Sequence, residues 1–347
     1  MNTTPMLSIV IPVYNTAERL ENLLESVWQQ TFRDFEMILV DDGSTDDSLA
    51  ICQKFQQRAP ERIKVVSEGH HGACRAYNRG LELACGQWLA FCDSDDYVHP
   101  ELYQTLYDNA IREDAQLSCC ALNDIHRNGK NVKMVFPVAN GMETIRGREN
   151  ILKRLFVPLL MNTDTVHAYL PLCLLKRDLL EENNIRFCEG ILVCEDEVFL
   201  QEYLLRCDCV TAVDTPLYDY LRLDTSLSTG FYRKNQMDYP HVRSWFLRCR
   251  EQRRLFLQSG LEASCPELRA QLDARCFFLE AQTICCNPGL SKASRREELK
   301  QLSRRAKEPE IVRTAAKGFW WMLIHLPGLL PPVLALRRWL KESCLGK

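Results

Sequence analysis

The sequence predicts an α/β protein with a doubly wound, mainly parallel sheet and a helical C-terminal region. Short apolar runs rich in β-branched residues alternate with segments that carry apolar residues at helical spacing, which is the pattern of successive βαβ units. Polar or acidic residues directly follow three of the strand-like runs. From about residue 235 the strand-like runs end and a heptad-like spacing of apolar residues takes over.

The predicted elements of the first hundred residues alternate between strands and helices. Thr16 is placed to act as the N-cap of the first helix, which carries leucines at helical spacing. The predicted order is a strand and polar loop at 7–15, a helix at 16–30, a strand and polar loop at 36–48, a helix at 44–55, a strand at 64–67, a helix at 74–85, and a strand that begins at residue 88. This alternation gives the parallel sheet its crossover helices.

Three aspartates, Asp93, Asp95 and Asp96, follow the predicted strand that begins at residue 88. In open α/β sheets, ligands bind beyond the carboxyl ends of the strands. Divalent cations that hold phosphates need only one or two protein carboxylates. An isolated Asp-x-Asp is better explained by a solvated acidic turn. The polar ends of the strands at 7–15 and 36–48 are expected at the same edge of the sheet, and they favour a ligand site.

Four motifs occur in order within the first hundred residues: Ser-Ile-Val-Ile-Pro-Val-Tyr-Asn, Ser-Val-Trp-Gln-Gln-Thr-Phe, Val-Asp-Asp-Gly-Ser-Thr-Asp and Cys-Asp-Ser-Asp-Asp-Tyr. Together they resemble the family 2 glycosyltransferases with the GT-A fold, of the type that builds bacterial surface polysaccharides. The resemblance continues through the segments 174–187, 195–199 and 217–226. Segment 174–187 looks like the helix and turn that precede the acceptor site in the family. It covers about residues 6–230 and implies a GT-A-type doubly wound fold.

The resemblance also implies a domain organisation. A GT-A catalytic domain is expected at 1–230, with a nucleotide-sugar half at about 1–115 and an acceptor half at about 116–230. A helical C-terminal region is expected at 231–347.

A divalent metal ion, Mn²⁺ or Mg²⁺, is the cofactor that the resemblance implies. Asp95 is the residue expected to ligate it, because the second acid of the Asp-x-Asp pair does so in similar enzymes. Asp93 is expected to help place the ribose and the metal. Asp96 is expected to support the metal site without ligating the ion directly. For Asp93 and Asp96, a purely turn-stabilising role is the alternative. A metal ion at this place would offset the charge that develops on the leaving diphosphate.

The loops after the first two strands are expected to bind the nucleoside. By resemblance, Pro12 and Tyr14 line the base, and the Asp41 carboxylate accepts a hydrogen bond from the imide N–H of uracil. For the neighbouring acids and hydroxyls, capping of the next helix is the favoured interpretation. These residues are Asp42, Ser44 and Asp46.

Transfer with inversion requires a base that removes the proton of the acceptor hydroxyl. Asp196 is the expected catalytic base, since the aspartate of the Glu-Asp pair has this role in family members, and Glu195 is expected to support it. The alternative is that Glu195, Asp196 and Glu197 form the acidic first turn of a helix, which the helix dipole favours.

Two positions depart from the family pattern. Tyr77 stands where the family often has an arginine that meets the diphosphate, and Arg75 lies two residues away on a different helical face. His70 stands where asparagine is common.

These residues together predict a metal-dependent, inverting glycosyltransferase. Its donor would be a nucleotide sugar, most naturally a UDP-sugar, and its acceptor a saccharide or lipid-linked saccharide. The alternatives are a non-catalytic nucleotide-sugar-binding protein and a sugar-phosphate nucleotidylyltransferase. The latter needs a Gly-rich loop and a following basic residue after the first strand, and the sequence lacks this pattern.

The cysteines and the N-terminus indicate a reducing environment. The chain has 17 cysteines but no Cys-x-x-Cys pair with zinc spacing, and residues 1–5 do not open a secretory signal. We therefore interpret the cysteines as reduced thiols that serve as small apolar residues, and we expect a cytoplasmic protein.

The C-terminal segment concentrates positive charge. Residues 291–347 hold thirteen Lys or Arg and five Asp or Glu, a net charge of +8, although the whole chain has −3. A Trp-rich apolar stretch with basic flanks at about 313–342 predicts peripheral contact with an anionic membrane at its inner face. The alternatives are a helix docked on the catalytic domain and a transmembrane span, which prolines interrupt. No nucleic-acid reader motif accompanies the charge, so no nucleic-acid partner is expected.

Overall fold

The computed structural model describes residues 4–126, 131–134, 141–161, 169–222 and 238–305. Its residue contacts divide the chain into two compact units, Met1–Gly230 and Phe231–Lys347. The segment predicted at 313–342 to contact a membrane lies outside the described residues, and so does the end of the family-like segment at 223–226.

The first unit contains one ten-stranded sheet. The strands are β1 (Leu7–Val13), β2 (Phe35–Asp41), β3 (Ile63–Ser67), β4 (Trp88–Phe91), β5 (Tyr97–Val98), β6 (Leu117–Ile125), β7 (Asn131–Met134), β8 (Met142–Arg146), β9 (Cys173–Lys176) and β10 (Cys209–Leu221). Their order in the sheet is β3-β2-β1-β4-β9-β6-β10-β5, with β7 beside β6 and β8 beside β10. Strands β1 to β4 are mutually parallel, as are β6 and β10. This confirms the predicted mainly parallel, doubly wound fold.

Helices cross over between the strands, and most of them are short. They are α1 (Ala17–Trp28), α2 (Ser48–Gln56), α3 (Ala73–Leu83), α4 (Leu102–Glu113), α5 (Arg148–Ile151) with a π-helical continuation (Leu152–Phe156), α6 (Val157–Met161), a 3-10 turn (Leu170–Leu172), α7 (Arg177–Glu182) and α8 (Glu195–Leu204). Helix α1 buries Leu20, Leu23, Leu24 and Val27 in the same core cluster as Ile9 and Ile11 of β1. These leucines are the ones whose spacing predicts the helix.

Two elements differ from the sequence-based expectation. Helix α2 begins at Ser48, four residues after the predicted start, because the preceding polar loop bonds instead to the loop after β1. The family-like segment at 174–187 opens as a strand, and its helix begins only at Arg177. Its leucines, Leu174 and Leu175, are buried between β4 and β6, to which β9 is antiparallel.

The register of the parallel strands brings three chain segments to one edge of the sheet. Val13 at the end of β1 is paired with Asp41 at the end of β2, and Val10 of β1 is paired with Phe91 at the end of β4. Helix α3 packs closely against β1, since a Cβ atom on Gly80 would come within 2.2 Å of Val10 Cγ1. The residues that follow β1, β2 and β4 therefore emerge side by side.

The second unit is helical in its described part. It contains α9 (Tyr239–Ser259), α10 (Pro266–Cys286) and α11 (Lys292–Arg305), and a small core of Ala281, Ile284, Leu299 and Leu302 joins α10 to α11. No helix within the described ranges has the length and apolar character needed to cross a membrane.

Candidate active site

Tyr14, one of the predicted base-binding residues, belongs to a stack of two rings at the sheet edge. Tyr14, directly after β1, stacks on His70 with ring centroids 4.2 Å apart and an interplanar angle of 16°. His70 Nδ1 lies 2.8 Å from the carboxylate of Asp42, which accepts its hydrogen bond. Pro12 is partly exposed at the end of β1. The tyrosine thus offers a flat surface that a neighbouring loop holds in place.

Asp42 organises the loop that carries His70. Its Oδ1 accepts the backbone N–H of His71 at 2.7 Å, and its Oδ2 accepts that of Gly72 at 3.0 Å. Gly43, with φ of +74°, permits this approach, because a Cβ atom there would lie 2.8 Å from the backbone nitrogen of His70. Asp42 is therefore a loop-fixing residue, although it does not cap the next helix.

Asp41, the residue predicted to meet the uracil imide, is almost fully buried and already hydrogen-bonded. Its Oδ2 accepts the hydroxyl of Ser67 at 2.9 Å, and its Oδ1 accepts the backbone N–H of Ser44 at 3.2 Å. Each carboxylate oxygen can accept a second hydrogen bond. The geometry holds the side chain in one orientation, and the contact with uracil stays a prediction.

The polar residues after β2 tie the first two loops together. The hydroxyl of Ser44 accepts the backbone N–H of Asn15 at 3.1 Å. Asp46 accepts the backbone N–H of Ala17 at 3.0 Å and that of Ser48 at 3.0 Å, so it satisfies donors at the first turns of both α1 and α2. The predicted capping role thus fits Asp46. Thr16 occupies the N-cap position of α1, but its hydroxyl donates to Ser94 rather than capping the helix.

The three aspartates after β4 form a partly buried cluster of like charges. Burial and the neighbouring charge of Asp95 raise the pKa of Asp93 to about 6, and burial raises the pKa of Asp95. Burial and the charges of both neighbours raise the pKa of Asp96 well above its ordinary value. Within the described residues, no lysine or arginine forms an ion pair with any of the three. A cluster of this kind attracts a cation.

Asp96 and Asp93 have different surroundings. The Asp96 carboxylate accepts the Tyr218 hydroxyl at 2.8 Å and the Leu221 backbone N–H at 2.9 Å, and the side chain is buried. The Asp93 carboxylate accepts one hydrogen bond, from the Tyr77 hydroxyl at 2.9 Å, on Oδ1. Asp96 is thus anchored to β10, while Oδ2 of Asp93 accepts no hydrogen bond from the described residues.

The sequence gives no role to Tyr77, and the structure places its side chain inside the site. The signal for it is the departure from the family arginine at this position. Arg75, two residues before Tyr77, is exposed and pairs with Glu68 at 3.5 Å and with Glu189 at 3.9 Å. Burial, and next the charge of Asp93, raise the pKa of Tyr77 well above its ordinary value, so the phenol stays a neutral donor.

Asp196, the predicted base, lies in the first turn of α8. Burial raises its pKa well above the ordinary value, and the charges of Glu195, Glu197 and Asp93 add to the shift. Burial and the charges of Asp93 and Glu197 raise the pKa of Glu195 to about 7. Because Asp93 influences both groups, the acids after β4 and those of α8 share one electrostatic environment. The three acids thus form the predicted acidic first turn of α8, and this turn lies near the aspartate cluster.

The residues present suit a divalent cation that is shared with a ligand. The oxygens of Asp93 and Asp95 are hard donors, which Mg²⁺ and Mn²⁺ prefer. Among the described residues, no three His, Cys, Asp or Glu side chains converge closely enough to enclose an ion by themselves. One or two carboxylates suffice when phosphate oxygens and water complete the coordination. The 16 cysteines in the described part of the chain are free thiols.

Comparisons with known proteins identify the family. The model of Glycosyl transferase family 2 matches residues 8–183, just over half of the chain. The chain is similar to the uncharacterized glycosyltransferase YibD of Escherichia coli, with 30% identity over 230 residues that cover 66% of this chain and 64% of YibD. It is also similar to the poly(ribitol-phosphate) beta-glucosyltransferase of Bacillus spizizenii, with 31% identity over 62% of this chain and 32% of the relative. The matches thus span less than two thirds of either relative.

A solved structure supports the fold. Residues 1–349 of TarS from S. aureus, crystallised with UDP-GlcNAc, superpose with a TM-score of 0.58 at 19% identity, covering 81% of each chain. At this identity the likeness shows the fold alone.

Proposed function

We propose that this chain, which belongs to the family 2 glycosyltransferases, moves a sugar from a nucleotide-sugar donor to a hydroxyl group of a saccharide or lipid-linked saccharide, with inversion at the anomeric carbon. Membership in this family confirms the resemblance seen in the sequence. The observation that carries the proposal is the shared electrostatic environment of Asp93, on the loop after β4, and Asp196, on α8. Asp93 would act with the metal on the leaving diphosphate, and Asp196 would act on the attacking hydroxyl of the acceptor.

On the leaving-group side, we assign the metal ligand to Asp95, with Asp93 beside it. A bound Mn²⁺ or Mg²⁺ would supply positive charge to the departing diphosphate. The charge of Arg19 acts on Asp95, but no lysine or arginine among the described residues forms an ion pair with these carboxylates, and the cluster would repel a bare diphosphate. Donor binding should therefore depend on the metal.

On the nucleophile side, Asp196 accepts the proton of the acceptor hydroxyl. Its Oδ1 accepts the backbone N–H of Glu197 at 2.9 Å, which fixes the side chain, and Oδ2 accepts no hydrogen bond from the described residues. The raised pKa makes the carboxylate a stronger base than an ordinary aspartate, as general base catalysis requires. Direct attack by the activated oxygen opposite the diphosphate gives inversion.

The nucleoside is proposed to lie against Tyr14 and Pro12, with Asp41 as acceptor for uracil. The fixed carboxylate of Asp41 and the flat face of Tyr14 support this choice. TarS, which shares the fold, was crystallised with UDP-GlcNAc, so UDP-sugars are the first donors to test.

The proposals for the acceptor and for the cellular location rest on the remaining parts of the chain. We assign the nucleotide-sugar side to about 1–115 and the acceptor side to about 116–230. The basic segment at 313–342 supports peripheral contact with the inner face of an anionic membrane. There, the enzyme and a lipid-linked acceptor of polysaccharide synthesis would share one surface.

The test is a panel of UDP-, GDP- and CMP-sugars with Mn²⁺ or Mg²⁺, in which nucleotide release and donor binding are both measured. The variants are Asp95→Ala and Asp196→Asn, and the matched control is Asp108→Asn, which alters an exposed aspartate on α4. We expect metal-dependent release of one nucleotide by the wild type and the control. Asp95→Ala should lose donor binding, whereas Asp196→Asn should keep donor binding and lose release.

Three other results have distinct meanings. Metal-dependent donor binding without release, and unchanged biological function in Asp196→Asn, would support a non-catalytic binding protein instead. Synthesis of a nucleotide sugar from a nucleoside triphosphate and a sugar phosphate would indicate a nucleotidylyltransferase. No binding of any nucleotide sugar by the wild type would refute the proposal.

A further inference from the structure

Tyr77 begins a column of three aromatic rings that runs through the candidate active site. Its ring stacks on Phe187 with centroids 4.6 Å apart and an interplanar angle of 14°. Phe187 stacks in turn on Phe199, at 4.2 Å and 14°. Phe91, the last residue of β4, meets the rings of Tyr77, Phe187 and Phe199 edge-on, at 5.5 to 5.6 Å. Stacked and edge-to-face pairs are favourable arrangements of aromatic rings, so the column is a stable unit.

One end of this column lies next to the proposed base, and the other end contacts an aspartate of the proposed donor site. Phe199 lies on α8, three residues after Asp196, so the two share the first turns of one helix. At the other end, the Tyr77 hydroxyl donates to Oδ1 of Asp93 at 2.9 Å. A packed array of buried rings therefore links the carboxylate near the donor to the helix that carries the base.

The polar group at the end of the column is suited to a carboxylate that also faces a metal. A neutral phenol donates one hydrogen bond and leaves the negative charge of Asp93 in place. An arginine at this position would form an ion pair with the carboxylate, and this pair would compete with a cation for the same oxygens. With Oδ1 occupied by Tyr77, Oδ2 is the oxygen of Asp93 left without a hydrogen bond in the described structure.

We propose that Tyr77 is a positioning residue that holds Asp93 in the orientation needed for binding the metal–diphosphate. The column Tyr77–Phe187–Phe199 fixes the position of this carboxylate relative to the base on α8. The inference rests on the proposed function, since it assumes a nucleotide donor bound with a metal. It assigns to the tyrosine a task different from that of the family arginine, which meets the diphosphate directly.

The chain provides a close control for the loss of one buried hydroxyl. Tyr103 on α4 is also fully buried, and in the described structure its hydroxyl has no hydrogen-bond partner. Tyr77→Phe and Tyr103→Phe thus remove the same atom from two buried rings, but only the first removes a hydrogen bond to Asp93. Both variants keep the ring, so folding should be preserved.

The first measurement is the binding of Mn²⁺ in the presence of UDP, followed by the electron paramagnetic resonance of the free ion, together with the thermal unfolding midpoint. We expect the dissociation constant to rise about tenfold in Tyr77→Phe, the effect of losing one hydrogen bond to a charged group. Tyr103→Phe should stay within about twofold of the wild type. Wild-type affinity in Tyr77→Phe would overturn the inference while leaving the proposed function intact. If the wild type binds no Mn²⁺ with UDP, the inference fails, whereas the proposed function fails only if the wild type binds no nucleotide sugar at all.

A second variant tests the other end of the column. Phe199→Leu loosens the contact with Phe187 but leaves the hydrogen bond between Tyr77 and Asp93. We expect Mn²⁺–UDP binding and the donor KM to remain within about twofold of the wild type. The kcat for transfer should fall about tenfold, because the base would no longer be held in its position relative to the donor. An unchanged kcat in a folded Phe199→Leu protein would refute the role of the column.

Discussion

The hydroxyl of Tyr218 donates a hydrogen bond of 2.8 Å to the carboxylate of Asp96, and this contact joins the acidic loop after β4 to strand β10. The same hydroxyl accepts the backbone N–H of Asp93 at 3.3 Å. One tyrosine thus holds both the side chain of Asp96 and the backbone of Asp93. Asp95 lies between these two fixed points, so the orientation of the proposed metal ligand depends on a residue more than a hundred positions away.

Tyr218→Phe should destabilise the protein and weaken metal binding. Among the described residues, the buried Asp96 would keep only the hydrogen bond from Leu221, and the free energy of unfolding should fall by about 1 to 3 kcal/mol. Urea denaturation measures the stability, and Mn²⁺ binding in the presence of UDP measures the site. Tyr103→Phe is the control and should show neither effect. Wild-type stability in Tyr218→Phe would show that the hydroxyl contributes little to fixing the loop.

Glu195 should make the protein less stable at alkaline pH. Its pKa is raised to about 7, by burial and by the charges of Asp93 and Glu197, whereas the ordinary value is 4.5. The folded protein therefore holds this proton more tightly than the unfolded chain does, and stability falls as pH rises through this window. Glu195→Gln should raise the thermal unfolding midpoint at pH 8 by a few degrees. Well below pH 4.5, where the glutamate is protonated in both states, the gain should vanish.

The matched control is Glu182→Gln, on the exposed end of α7. It should leave the midpoint unchanged at both pH values. A midpoint for Glu195→Gln that is equal to or below that of the wild type at pH 8 would contradict the raised pKa.

The N-terminal half of the sheet was predictable because its signals are local. The strands β1 to β4 are short apolar runs, and each of the first three crossover helices carries its own apolar spacing. The parallel register then follows from the βαβ order and brings Tyr14, Asp41 and Asp93 to one edge. The antiparallel strand β9 was not predictable, since Leu174 and Leu175 read equally well as the start of a helix. Only their burial between β4 and β6 decides their conformation.

The acids of the candidate site could be predicted from the sequence, but the tyrosines that hydrogen-bond to them could not. Asp93, Asp95 and Asp196 stand out because acids after a strand or in a motif are unusual. Tyr218 reads as an ordinary core residue, and Tyr77 is marked only by its departure from the family arginine. The roles of Tyr77 and Tyr218 arise from contacts across 16 and 125 positions of sequence. A single sequence contains no signal for such pairings.

Lys64→Met should destabilise the sheet, because it removes the cation that pairs with the buried Glu36. Lys64 Nζ lies 2.7 Å from Glu36 Oε2, and Ser8 donates to Oε1 at 2.6 Å. Burial by itself would raise the pKa of Glu36, but these hydrogen bonds lower it overall. Without the lysine, the charged carboxylate stays buried without a cation, and the free energy of unfolding should fall by about 2 kcal/mol at pH 7.

Because the folded pKa of Glu36 lies below 4.5, the stabilisation is present at neutral pH and is lost as the pH falls through that folded value. Urea denaturation at pH 7 and in acid should therefore show a shrinking difference between Lys64→Met and the wild type. Lys54→Met removes an exposed ion pair with Glu21 at 3.3 Å and serves as the control, with little effect expected. An equal loss in both variants would contradict the special role of the buried pair.

His70→Ala should weaken nucleotide binding by removing the ring that supports Tyr14. Loss of a stacked partner costs about 1 kcal/mol, so the dissociation constant for UDP, measured by calorimetry with Mn²⁺ present, should rise about fivefold. His71→Ala is a close control, because the His71 contact with Asp42 uses the backbone N–H and survives the change. His70→Phe keeps a ring against Tyr14 but loses the hydrogen bond to Asp42, and it should bind UDP with intermediate affinity. Equal losses in His70→Ala and His71→Ala would mean that the loop as a whole, rather than the stack, supports the nucleotide.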